Sequence, residues 1–202
     1  MRTPFTVAIA FIAWFAVVVQ LILMIHNRVL PITDTLINFF SFFTILTNLI
    51  VAIFFTGKSA GAAFGYRPGN LTAVTTYIFI VGIVYQLMLR HLWKPTGWQQ
   101  LVDELLHTIV PLLVVIYWYF YEDKASVHYK QIRYWVIYPL VYFIYIFIRG
   151  MITDTYPYPF INATEIGIGQ ALINSLFIFL FFLAMAVLFI FIGKKTAVNK
   201  TG

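Results

Sequence analysis

Residues 102–111 read Val102-Asp103-Glu104-Leu105-Leu106-His107-Thr108-Ile109-Val110-Pro111, two acids, a histidine and a proline at the head of an otherwise apolar run. Whether that run is a core helix of a soluble domain or a membrane span decides the fold. A hydrocarbon core of about 30 Å asks for ~20 apolar residues, and the run, 99–121, is of that length. The whole chain points the same way. Of 202 residues, 62% are hydrophobic and only 10% charged, with a mean hydropathy of +0.90, whereas ordinary soluble domains carry about a quarter charged residues. An ionisable side chain inside a span is costly and marks a functional site by default. His107 is therefore the centre from which the chain is read.

Five further runs have spanning length, 4–26, 34–56, 70–91, 131–151 and 165–193. Together they predict an all-α, polytopic membrane protein: six transmembrane helices in one bundle, a single domain over 1–202 with no room for a soluble one. Pro31, Pro68, Pro95 and the segment Tyr156-Pro157-Tyr158-Pro159 punctuate the connections, as residues that resist helix should. The first run is too long for a signal-peptide core and is read as a span. Without cysteine there is no disulfide framework, thiolate metal site or cysteine nucleophile. The net charge of +6 sits in basic residues between apolar runs, a pattern of topology signals and not of a nucleic-acid surface. Nine of them (Arg2, Lys58, Arg67, Lys124, Lys130, Arg133, Lys194, Lys195, Lys200) fall on one side and four (Arg28, Arg90, Lys94, Arg149) on the other. That bias places both termini in the cytoplasm.

A helix rises about 1.5 Å per residue, so distance from a span end measures depth. His107 comes out about 14 Å below the outer end of its span, and Ser41 and Thr44 about 12–16 Å below theirs. Gln20, Tyr85, Gln86, Gln170 and Asn174 fall in the same outer half. Residues three and four apart share a helix face. Asn38, Ser41, Thr44 and Asn48 form one stripe, with Thr47 beside it; Glu104, His107, Thr108 and Pro111 form another; Tyr138, Tyr142, Tyr145 and Arg149 a third. Pro111 has no N–H to give the carbonyl of His107, which predicts a kink and a free acceptor beside the imidazole. Polar side chains in spans often do no more than hold helices together. Gathered at one depth around a histidine, they predict a cavity.

A histidine near neutral pKa can take a proton from a hydroxyl and return it to a leaving group. Thr44 matches His107 in depth and is the candidate nucleophile. Glu104, one turn away, can orient the ring. Asn48, Asn174, Gln86 or a tyrosine hydroxyl can stabilise an oxyanion, and Arg149 or Arg90 can hold a fatty-acid carboxylate. Three rivals stand beside this hydrolase. Glu104-x-x-His107 has the spacing of carboxylate-bridged metal sites, but the remaining histidines lie at span ends or in loops, so no metal is expected. Asp103, Glu104 and His107 can also form the proton relay of a carrier, although no repeat supports carrier architecture. A non-catalytic lipid-binding protein is the third.

Phe43-Thr44-Ile45-Leu46-Thr47-Asn48-Leu49, with Leu106-His107-Thr108-Ile109-Val110-Pro111, resembles the androgen-induced-gene (FAR-17a-like) family of six-span membrane proteins. The resemblance covers most of the chain in span number, and these two segments and the aromatic fifth span in detail. It implies an integral, multi-pass protein of a bacterial cell membrane that needs no cofactor. It implies hydrolysis of fatty-acid esters of hydroxy fatty acids by an intramembrane threonine and histidine. The histidine falls on His107; the threonine falls on Thr44, whose segment fits the family pattern with a one-residue slip, and Thr47 is the alternative. The bilayer and a lipid or fatty-acid ester are the expected partners, with no nucleic acid. Ser41, Thr47, Asn48, Gln86, Glu104, Tyr138, Tyr142, Tyr145, Arg149 and Asn174 are the candidate substrate-binding residues.

Overall fold

A computed structural model of the protein describes residues 4–198 as helices and connecting turns, with no strand among the described residues. Arg2 and Lys200, two of the basic residues that set the orientation, lie outside the described residues. The helices are α1 (Pro4–His26), α2 (Ile32–Phe39), α3 (Phe43–Ala60), α4 (Asn70–Leu89), α5 (Gly97–Tyr121), α6 (Tyr129–Thr153) and α7 (Ile168–Thr196). All but α2 are long and apolar enough to cross a membrane. Short connections make successive spans antiparallel. The loops 27–31, 90–96 and 154–167 share one end, here the site end, and the start of α1 and the last turns of α7 lie at the other, beside Tyr121 and Lys124.

The packing is that of an inside-out apolar body. α3 and α4 are the most enclosed helices, while α1, α6 and α7 leave most of their surface uncovered. Ile9, Ala13, Val51, Phe55, Ile78, Val110 and Val114 close the central core, with Trp118 and Phe189 beside them. Outward-facing Phe11, Ile22, Leu112, Ile144 and Phe177 remain exposed. Apolar surface on this scale marks contact with a membrane. Gly61 ends α3 with φ 82°, a left-handed conformation that glycine adopts without strain.

The sequence predicts one unbroken span over 34–56; the structure breaks it. Residues 40–42 separate α2 from α3, and Phe42 is extended (φ −80°, ψ 122°). Side chains replace the missing ladder bonds. The Ser41 hydroxyl donates to the carbonyl of Ile37 at 2.7 Å, the i−4 bond through which serine bends helices. The Tyr142 hydroxyl donates to the carbonyl of Ser41 at 2.9 Å, and the Ile45 N–H turns instead to the carbonyl of Phe42. The predicted continuous stripe of Asn38, Ser41, Thr44 and Asn48 is therefore split, because Asn38 and Ser41 precede the break and Thr44 and Asn48 follow it.

Most of that stripe pairs with the α6 stripe. Thr47 and Tyr138 hydroxyls meet at 2.8 Å, and Ser41 and Tyr145 hydroxyls at 3.1 Å. Tyr142 reaches the Ser41 carbonyl, and the Arg149 guanidinium donates to the Asn38 side-chain oxygen. Numbers fall along one side as they rise along the other, so α6 runs antiparallel to α2 and α3 and is fastened to both across the break. At the terminal end, the Glu122 carboxylate accepts from the N–H and hydroxyl of Thr72 at 2.8 and 2.7 Å. It caps the start of α4, where the helix dipole favours a negative charge.

Two outcomes follow for the fold. In a double-mutant cycle of Thr47→Val and Tyr138→Phe, read by unfolding in detergent, the coupling should be about 0.5–2 kcal/mol; additive losses would show that the pair holds nothing. Burial raises the Glu122 carboxyl above its ordinary range, against the pull of its bonds from Thr72. A folded pKa above the unfolded one makes ionisation costly, so stability present below the unfolded pKa is lost as pH rises through the folded one. Glu122→Gln keeps an acceptor for Thr72 and cannot ionise. Its melting temperature should depend less on pH than wild type between the carboxylate range and neutrality.

Candidate functional site

Two wide turns at one level make the site. α5 runs in π-form over Leu105–Ile109, and α4 over Tyr85–Leu89. Such single π turns often sit at functional positions. In α5 the cause is Pro111. With the Val110 N–H bonded to Leu105, the same wide register would direct the next N–H to Leu106, and proline has none. The Asn48 side-chain amide supplies the missing donor, reaching the carbonyl of Leu106 at 3.3 Å and that of Thr44 at 2.9 Å. Gly82 lets α4 close on the turn, since a Cβ there would stand 3.3 Å from the His107 carbonyl and from Pro111.

His107 is held on three sides. The Tyr85 ring stacks on the imidazole, centroids 3.9 Å apart and planes 12° from parallel. Nδ1 lies 2.9 Å from the backbone carbonyl of Asp103 and 3.3 Å from its carboxylate. A carbonyl can only accept, so Nδ1 carries the proton and Nε2 the lone pair. The other Asp103 carboxylate oxygen accepts a hydrogen bond from the Tyr85 hydroxyl. Asp103 thus fixes both the tautomer of the histidine and the position of the ring stacked on it.

The imidazole lines a cavity of about 330 Å³, within the range of small-molecule sites. Thr44, Tyr85, Asp103, Gln20, Gln99 and Tyr158 share its wall with apolar residues of α1, α2 and the site-end loops. His107 and Thr44 thus both stand in its wall. Thr44 is the second residue of α3, and the ladder leaves the N–H groups of Phe43 and Thr44 without carbonyl partners. The Tyr158 hydroxyl covers them. It accepts from the Thr44 N–H at 3.4 Å and lies against the Thr44 side chain and the Phe43 N–H. Burial raises the Tyr158 hydroxyl above its ordinary range, so it stays protonated at neutral pH.

The other predicted site residues go elsewhere. Thr47, Ser41, Tyr138, Tyr142 and Tyr145 are spent on the seam between α6 and the broken span. Glu104 does not orient His107. It is drawn across to Arg90, which also bonds Gln86, while Gln86 and Glu104 both bond Thr108, a cluster apart from the cavity wall. Asn174 anchors the carbonyl of Phe160 at 2.8 Å and is no oxyanion donor to this cavity. Asn48 reaches backbone carbonyls and does not line it. Arg149 holds Asn38 and the carbonyl of Thr155, away from the cavity. Among the described residues no three histidine or acidic side chains gather as a metal ligand set.

Tyr158 and Gln99 were not singled out from sequence, and Asp103 was read as a relay group but not as the partner that orients His107. Asp103 and Glu104 stand four and three residues before His107, and helix spacing admits both as neighbours; the contact of Glu104 with Arg90, just past the end of α4, separates them. Tyr158 lies in the Tyr-Pro-Tyr-Pro segment, whose prolines signal a turn but not what the turn touches. Gln99 pairs with Gln20 at 2.8 Å across the cavity wall.

Compared with family models, curated proteins and solved structures, the chain matches none. The geometry alone yields a test of the local design. Asn48→Leu removes the one side-chain donor serving the Thr44 and Leu106 carbonyls and should cost about 1–3 kcal/mol for an orphaned buried acceptor. A melting temperature equal to wild type would mean that these carbonyls have other donors.

Proposed function

We propose that the protein is an intramembrane lipid esterase, related to the androgen-induced-gene family, with Thr44 as nucleophile and His107 as general base and acid. The single observation that carries this reading is one cavity walled by both Thr44 and a histidine whose Nδ1 is tied to Asp103. The Thr44 Oγ1–H gives its proton to His107 Nε2 as Oγ1 bonds the ester carbonyl carbon. The carbonyl π pair moves to oxygen, and on its return the ester C–O bond breaks. The alcohol leaves with the proton from Nε2, and the acyl group stays on Thr44. Water, deprotonated by Nε2, then attacks the acyl carbon and expels the Thr44 oxygen, which takes the proton back.

Three features support the roles. The Asp103 carboxylate stabilises the imidazolium formed in each half. Thr44 lies in the first turn of α3, where the helix dipole favours a developing negative charge. Thr47 is completely buried and bonded to Tyr138, which makes Thr44 the better nucleophile of the two. With both termini in the cytoplasm, the cavity faces the outer leaflet of a bacterial cell membrane, within reach of ester lipids. Fatty-acid esters of hydroxy fatty acids are the substrate class that the family resemblance favours.

The chain Tyr85–Asp103–His107 favours a second reading, a proton relay in a carrier. Purified protein assayed on a panel of fatty-acid esters separates the two. Wild type should turn them over, and Thr44→Ala and His107→Ala should each lose on the order of 10²–10⁴ in rate. Thr47→Ala should stay within the wild-type order of magnitude. Turnover undiminished by His107→Ala would sink the assignment. An inert wild type that moves protons in proteoliposomes would replace it with the relay.

A further inference from the structure

Thr44 is in the wall of two spaces at once. Besides the cavity that holds His107, it lines a narrow pocket with about 60 Å³ of free space between α3, α4, α6 and α7. Leu89 and Tyr158 are the other residues common to both, so the spaces meet at these three side chains. Their chemistry differs. The cavity carries Gln20, Gln99, Asp103 and His107. The narrow pocket is almost wholly apolar, walled by residues such as Val84, Phe143, Ile178, Phe179 and Phe182.

We infer that the narrow pocket receives the acyl chain, and that Ile178 and Phe179 on α7 set the length it accepts. This rests on the esterase reading and follows from where protons must go. The same nitrogen, His107 Nε2, protonates the departing alcohol and later deprotonates the incoming water. Both must therefore occupy the space that contains His107. When the Thr44–acyl bond has formed and the ester C–O bond has broken, the remaining arm has to lie on the other side of Thr44. The only wall that Thr44 shares on that side, among the spaces described, belongs to the apolar pocket. An alkyl chain there lies against apolar side chains without displacing a hydrogen bond. Ile178 and Phe179 are partly buried in the pocket wall and belong neither to the central core nor to the His107 cavity. Changing their size alters the pocket before it alters the fold.

The test is kcat/KM of the purified full chain for one fluorogenic alcohol, 4-methylumbelliferone, esterified with butanoate, octanoate, dodecanoate and hexadecanoate. Ile178→Trp fills the pocket and should lower the ratio of long-chain to butanoate turnover by about tenfold or more. Phe179→Ala opens it and should move the preferred length upward. Opposite shifts cannot come from general damage to the fold, which lowers every ester together. Turnover by wild type with an unshifted length profile, or a uniform loss, in both variants would overturn the acyl assignment while leaving the esterase standing. No turnover of any ester by wild type would remove the esterase reading itself, and this inference with it.

Discussion

In an apolar surrounding a carbonyl released from a helix ladder has no water to turn to and must find another donor. This chain releases carbonyls at two places, the break at residues 40–42 and the wide turn ahead of Pro111, and both repairs come from side chains on neighbouring helices. Tyr142 of α6 serves Ser41, and Asn48 of α3 serves Leu106 of α5. Each repair fixes the distance and rotation between two spans. The unwound backbone is thus what locks α3, α5 and α6 together, and it holds Thr44 and His107 against one cavity.

The same constraint explains how the polar layer is shared out. Hydrogen-bonding residues of similar depth divide into a seam between α6 and the broken span, a cluster of Arg90, Glu104, Gln86 and Thr108, and the cavity wall. Members of the seam bond across it to one another. Asp103, Tyr85 and His107 form a different kind of group. The carbonyl and carboxylate of Asp103 both take Nδ1, so the lone pair stays on Nε2, the atom that a proton-transfer step requires. A group with its interior side satisfied and a base left over is suited to chemistry, whereas a seam of hydroxyls bonded across two helices is suited to holding them.

Hydropathy foretold the number of long apolar helices, though not the break ahead of the second, because about 20 apolar residues in a row admit few other structures. The proline in 102–111 foretold the disturbance around His107, since a missing N–H is a property of the residue itself. Depth, counted at a constant rise, put Thr44 and His107 in the same layer. These readings are local or one-dimensional, and a single strand of text contains them.

Partnership is not local. Helix spacing gave Glu104 and Asp103 equal access to His107, and only the approach of α4, bringing Arg90 to one and Tyr85 to the other, separated them. Ser41 and Thr44 read as one face until Tyr142 took the carbonyl between them and let the helix end. Tyr158 reached Thr44 across more than a hundred residues of intervening chain. The sequence by itself determined that six apolar helices would carry a histidine and a threonine to a common depth. Which polar groups would be spent on holding the helices, and which left facing the cavity, was decided only when the helices packed, because a hydrogen bond belongs to two residues and sequence describes them one at a time.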